Sequence, residues 1–264
     1  MLKKILKHDS LAVLRRLLPL FIVQLSAGAL LMVLALVRGA LLTSPGTALL
    51  DGILGALSGL LWMSVFILFV ITDLLVYHQY FRSMFTDEGY LTMVIPVSTH
   101  RLLLGKLLCG FLWSLTATVI ALLSVLLGLL PTLMQWIPAE SLLWLLEGLG
   151  TTGTDGSGGW LIPFYILAGA VSLVYQHLLI YCAITLGGCF FKKHKYVGAI
   201  LFYYIVSMLT EMLTVIPTVI FAFVVAPLLH EALSLLLIIL LFGAVAVGLY
   251  FLTHRVLHRH FNLE

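Results

Sequence analysis

Few side chains in this sequence are equipped for chemistry, and they are scattered. Glu211 is a lone carboxylate inside an apolar run. Such a group is costly in hydrocarbon, so it should face the bundle or a water-filled cavity. There it would contact a substrate or handle protons, or it would hydrogen-bond Ser207 or Thr214 on neighbouring turns. Gln176 and His177 lie in another apolar run and either line a pathway or make helix–helix hydrogen bonds. His254 and His258 are four residues apart, a spacing that can put two metal ligands on one helix face. Arg255 and Arg259 interleave with them and no Cys or carboxylate adjoins, so a basic belt at a membrane surface is the better reading and no metal is assigned. His230-Glu231 lacks the H-E-x-x-H spacing, and Gly105-Lys106 lacks the glycine spacing and hydroxyl of a phosphate loop. No Ser/His/Asp or paired-carboxylate set occurs at a shared depth. No catalytic residue is assigned, and the chain is not expected to be an enzyme. Cys109, Cys182 and Cys189 all sit in apolar runs, and three irregularly spaced cysteines form no disulfide framework.

The elements that carry these residues follow from composition. The chain has 264 residues, of which 62% are hydrophobic and 9% charged, with a mean hydropathy of +1.17. A soluble domain carries about a quarter charged residues, so a soluble or disordered chain is excluded and lipid must be the solvent. The net charge of +3 is too mild to imply nucleic acid. Apolar runs of span length lie near 17–37, 52–77, 102–130, 161–190, 197–225 and 232–252. They predict an all-α integral membrane protein with six transmembrane helices. Barrel strands would be shorter and alternate in polarity.

Charge gives the orientation. Lys3, Lys4, Lys7, Arg15 and Arg16 precede the first span, and Arg82, Arg101 and Lys106 surround the second connection. Lys192, Lys193 and Lys195 fill the fourth, and Arg255 and Arg259 follow the last span. Of the 14 basic residues only Arg38 falls on the other side. The positive-inside rule therefore places both termini in the cytoplasm. Residues 131–160 become an extracellular loop with Trp136, Trp144 and Trp160 for an outer aromatic belt and a short interfacial helix after Pro138. Pro217 and Pro227 interrupt the fifth run, as a re-entrant piece over 214–230 or as a proline-kinked helix. Gly55-Ala56-x-x-Gly59 and Ala244-x-x-x-Gly248 have small-residue spacing for close helix approach, within the chain or at a homodimer seam.

Two segments stand out. Residues 1–16 read as an amphipathic interfacial helix, with Lys3, Lys4, Lys7 and Arg15 on one arc and Leu2, Ile5, Leu6 and Val13 on the other, or as a basic topogenic tail with no other role. Residues 78–101 are far longer than a turn requires. They mix Phe81, Arg82, Phe85 and Tyr90 with the acidic pair Asp87-Glu88, and end at Pro96 before Ser98 or Thr99 caps the third span. Either this is a short surface helix showing Phe81, Phe85 and Tyr90 to a protein partner, or it is an interfacial loop anchored by its aromatics.

The run Phe85-Thr86-Asp87-Glu88-Gly89-Tyr90-Leu91-Thr92, followed by Pro96-Val97-Ser98 and Leu104-Gly105-Lys106-Leu107-Leu108, resembles permease subunits of bacterial ABC transporters of the type-2 exporter superfamily. The six-span layout and basic N-terminal segment also fit. The resemblance implies a multi-pass subunit of a bacterial cell membrane, paired with a separate ABC ATPase subunit and with a second permease copy, identical or related. It implies no cofactor in this chain, since ATP and Mg²⁺ belong to the ATPase. Loop 78–101 would be the coupling element, with Phe81, Arg82, Phe85, Asp87, Glu88 and Tyr90 at the ATPase contact. A stand-alone secondary transporter and a non-transporting scaffold or sensor are the other readings. The substrate is not encoded in any recognisable motif.

Overall fold

A computed structural model describes residues 2–41, 48–86, 89, 98–136, 161–191, 193–221, 223 and 231–260. These residues form six long helices, and no strand occurs among them: α1 (Leu2–Leu41), α2 (Ala48–Phe85), α3 (Thr99–Trp136), α4 (Ile162–Phe190), α5 (Lys195–Ile220) and α6 (Glu231–His260). All six are long and apolar enough to cross a membrane. The described part of the protein is therefore all-helical, with six candidate spans.

The spans are where hydropathy places them, but several ends differ. α1 runs unbroken past Arg16, so residues 2–16 join the first span and form no separate element. Pro19 lies inside it. α2 continues eight residues beyond the expected end at Tyr77. At 38 residues it is about 57 Å long, well beyond the ~30 Å hydrocarbon core. α6 likewise continues past Leu252 and carries His254 and His258 within the helix. α5 runs through Pro217 to Ile220, where the Phe221 N–H still reaches the Pro217 and Thr218 carbonyls. The interfacial helix expected after Pro138, Trp144, Trp160 and most of 221–230 lie outside the described residues.

The chain divides into two compact units, and α1, α2 and α3 each contribute to both. The first comprises residues 1–6, 79–111 and 152–264. Its core joins Tyr175, Leu178, Leu179 and Cys182 of α4 to Val206 of α5 and to Ala246 and Leu249 of α6. α5 buries a narrow stripe at helical spacing, Val206, Thr210 and Thr214, below Gly198. At Gly187 a β-carbon would collide with the backbone of Ala199, so this glycine sets how closely α4 and α5 approach.

The second unit comprises residues 7–78 and 112–151. Ala27, Leu31 and Val65 form its core, with Leu61, Trp62 and Val125 packed around them. Phe21 stacks on Trp113 at 6.4 Å, and a β-carbon on Gly28 would lie 2.8 Å from the Ser124 backbone. Asp73 accepts a hydrogen bond from Ser114 Oγ at 2.7 Å. Arg38, in the last turn of α1, grips Asp51, in the first turn of α2, with two guanidinium nitrogens. Each charge also suits the helix end on which it stands.

Of the small-residue spacings, only Gly55 meets another helix among the described residues, where its β-carbon position lies 3.6 Å from the Arg38 guanidinium. Nothing lies within 4 Å of the β-carbon positions of Gly59 or Gly248. Hydroxyls in the spans are largely satisfied locally: Thr72, Thr116, Thr210, Thr214 and Thr253 each donate to the carbonyl four residues back. That bond lets a polar residue sit in an apolar helix without an outside partner.

Candidate functional site

The candidate site begins at the C-terminal end of α2. Residues 77, 80, 81, 84 and 85 recur at helical spacing and are all buried, so this stretch is a packed helical face and not a loop. Phe81 stacks on Tyr196 at 4.1 Å. Phe85 lies against Gly188, where a β-carbon would overlap its ring. Both rings are thus anchors inside the protein. The sequence offered them to a partner on a short surface helix, or to the interface on a loop; here they are buried at the end of a long helix. Arg82, on the same turn, is half-buried.

The last carbonyls of α2 need donor partners, as at any helix end. Lys195 Nζ, from the first turn of α5, donates to Phe85 O at 2.7 Å, and the Thr86 hydroxyl donates to Arg82 O. A cation at a helix C-terminus is also favoured by the macrodipole. The Gly89 N–H then bonds Thr86 O at 2.8 Å. Gly89 approaches the Met84 backbone so closely that no β-carbon would fit, which gives the glycine of the Asp-Glu-Gly-Tyr run a steric reason. Asp87, Glu88 and Tyr90 lie outside the described residues.

Behind this anchor is a polar seam that the sequence reading did not single out. Tyr80 and Tyr181 stack nearly parallel, with centroids 3.8 Å apart, and both are buried. The Tyr80 hydroxyl is 3.0 Å from Thr185 Oγ1, and the Tyr181 hydroxyl donates to Lys106 O at 3.3 Å. Gly110 leaves room for that hydroxyl. Lys106, counted among the basic loop residues from sequence, is buried. The signal was present: His177, Tyr181 and Thr185 repeat every fourth residue along α4.

The pathway candidates separate. His177 is buried, places Nδ1 2.8 Å from Leu173 O and meets Tyr181 edge to face at 6.0 Å. It is a packing residue of the seam. Gln176, one position earlier and so turned about 100° away, is exposed. Glu211 is exposed too, on the open face of α5, and so of the two expected settings it does not face the bundle of its own protomer. Ser207 Oγ donates to its Oε1 at 3.3 Å, one of the two local bonds anticipated. The Thr214 hydroxyl donates to the Thr210 carbonyl at 2.8 Å and to the Glu211 backbone carbonyl at 3.4 Å rather than to the carboxylate. Around Glu211 the face shows Met208, Met212 and Val215, each more than half exposed.

His254 and His258 have ring centroids 6.2 Å apart, and no group of three metal-ligating side chains occurs among the described residues. No family model, curated protein or solved structure matches this chain.

Proposed function

We propose that this multi-pass membrane protein is the permease subunit of an ABC exporter-like complex in a bacterial cell membrane, with both termini cytoplasmic. A separate ATP-binding subunit would supply the energy, and two permease copies would enclose the pathway. The sequence resemblance over residues 81–108 supplies the family. The observation that carries the mechanical part is the anchored end of α2. Phe81 and Phe85 are gripped by α4 and α5, and Lys195 ties the final carbonyl. A push delivered at residues 86–97 would therefore pass directly into the helices of the first unit. Asp87, Glu88 and Tyr90 would meet the ATPase, with Phe81 and Phe85 as the root behind them.

Glu211 supports the second copy. A carboxylate in the body of a span and open on its own protomer is costly against lipid, so another protein surface or a water-filled pathway must receive it. The same residue favours one other reading, a stand-alone secondary transporter in which Glu211 carries the coupling proton.

The experiment is co-purification with an ABC ATPase subunit of the same organism, which this reading expects to find as a separate chain. Asp87→Arg or Glu88→Arg should reduce recovery of that subunit while the permease still inserts. Unchanged recovery together with unchanged ATPase stimulation would remove the docking assignment. Transport in proteoliposomes driven by an ion gradient, with no ATPase present, would establish the secondary transporter instead.

A further inference from the structure

One end of the first unit gathers three arginines and three histidines from two helices. His100 and Arg101 stand in the first turn of α3, and His254, Arg255, His258 and Arg259 in the last two turns of α6. The Tyr250 hydroxyl is hydrogen-bonded to His100 Nδ1 and fastens the two helix ends together. The His100 ring meets His254 edge to face at 5.9 Å, and His254 in turn meets His258. All but the half-buried His254 are exposed. None of the three arginines is ion-paired with a described residue. The first turn of α3 holds no acidic residue, although a helix N-terminus already disfavours cations. The positive potential here is uncompensated by the described part of the chain.

The surroundings indicate what compensates it. Along α6, Val247, Phe251, Arg255 and Arg259 follow one another at four-residue spacing and so share a face. Val247 is 54% and Phe251 64% exposed. That face is apolar within the span and turns basic at its end. A hydrocarbon core takes about 20 residues of helix, and the candidate span in α6 has 27, so its last turns reach the headgroup layer. A free phosphate would match the cations and leave the apolar stripe unused. A molecule with an anionic head and acyl tails matches both.

We propose that this end of α3 and α6 is a binding site for an anionic glycerophospholipid. Its phosphate lies among His100, Arg101, Arg255 and Arg259, and an acyl chain lies along Phe251 and Val247. The inference requires only that α3 and α6 cross a bilayer, and it stands or falls separately from the transport reading.

The test is native mass spectrometry of the purified full chain offered phosphatidylglycerol or phosphatidylcholine. Phosphatidylglycerol should be retained preferentially. Arg255→Gln with Arg259→Gln should lower that retention by about fivefold or more. Arg255→Lys with Arg259→Lys, which keeps the charge, should preserve most of it. Arg15→Gln with Lys193→Gln, which removes the same charge elsewhere, should leave it unchanged. Equal retention of the two lipids by the unaltered chain overturns the proposal, as does equal loss in the charge-matched control. Displacement of the lipid by inorganic phosphate would identify a free-anion site and overturn the lipid assignment. If the Gln pair instead loses the ATP-binding subunit while keeping phosphatidylglycerol, the cations serve a protein surface and the lipid site is refuted.

Discussion

The ring of Phe85 occupies the space beside Gly188 that any side chain at position 188 would need. Residue 85 ends α2 and residue 188 lies in the last turn of α4, so this one contact fixes the end of α2 against α4. Gly188→Val should expel the ring at a cost of about 1–3 kcal/mol, the usual range for overpacking. Thermal unfolding in detergent reads this as a lowered midpoint. Adding Phe85→Ala should recover part of the loss, because neighbours in contact are not additive. A Gly188→Val protein as stable as the parent would show that the ring does not need the site.

Tyr80 is held by a stack and by a hydrogen bond, and the two can be separated. Tyr80→Phe keeps the stack on Tyr181 and removes the bond to Thr185. It should cost about 0.5–1.5 kcal/mol. Tyr80→Ala should cost about 3–5 kcal/mol, since it empties a fully packed position. Denaturation midpoints of the two variants give the ratio, and equal losses would assign the whole effect to the hydroxyl.

Gln24 is fully buried in α1, and neither side-chain amide atom finds a hydrogen-bond partner among the described residues. Gln24→Leu keeps the volume and removes the desolvation penalty, which is about 1–3 kcal/mol for such a group. The variant should melt at a higher temperature than the parent. A lower melting temperature would mean that the amide is satisfied in the working protein.

If a second copy covers the Glu211 face, cysteines placed there should meet their counterparts. Met212 is 55% exposed beside Glu211, whereas Val206 is buried on the opposite side of α5. In membranes, with Cys189→Ser as background, Met212→Cys should form an oxidant-dependent dimer band and Val206→Cys should not. Absence of the Met212 dimer, with the variant fully inserted, would leave Glu211 to a pathway within one protomer or to lipid.

The six spans were legible because long apolar runs have few other uses. Their ends were not, and the reason is visible at α2 and α6. Hydropathy treats Tyr80, Arg82 and Ser83 as a departure from the membrane, yet Tyr80 and Ser83 are buried in protein. The period-four recurrence of Tyr77, Phe81 and Phe85 was the better guide to helix. The seam through Tyr181 and Thr185 escaped notice because each residue alone looks like ordinary interfacial Tyr or Thr. Only the approach of α2 to α4 makes them a pair. Glu211 was legible as unusual, but which way it faces depends on α5 burying a single narrow stripe.

The clasp between Arg38 and Asp51 has a consequence for biogenesis. Arg38 is the one basic residue whose position argues against the orientation signalled by all the others. Paired with Asp51 in the first turn of α2, it forms a locally neutral ion pair. Neither ion then has to meet the membrane as an isolated charge while α1 and α2 insert.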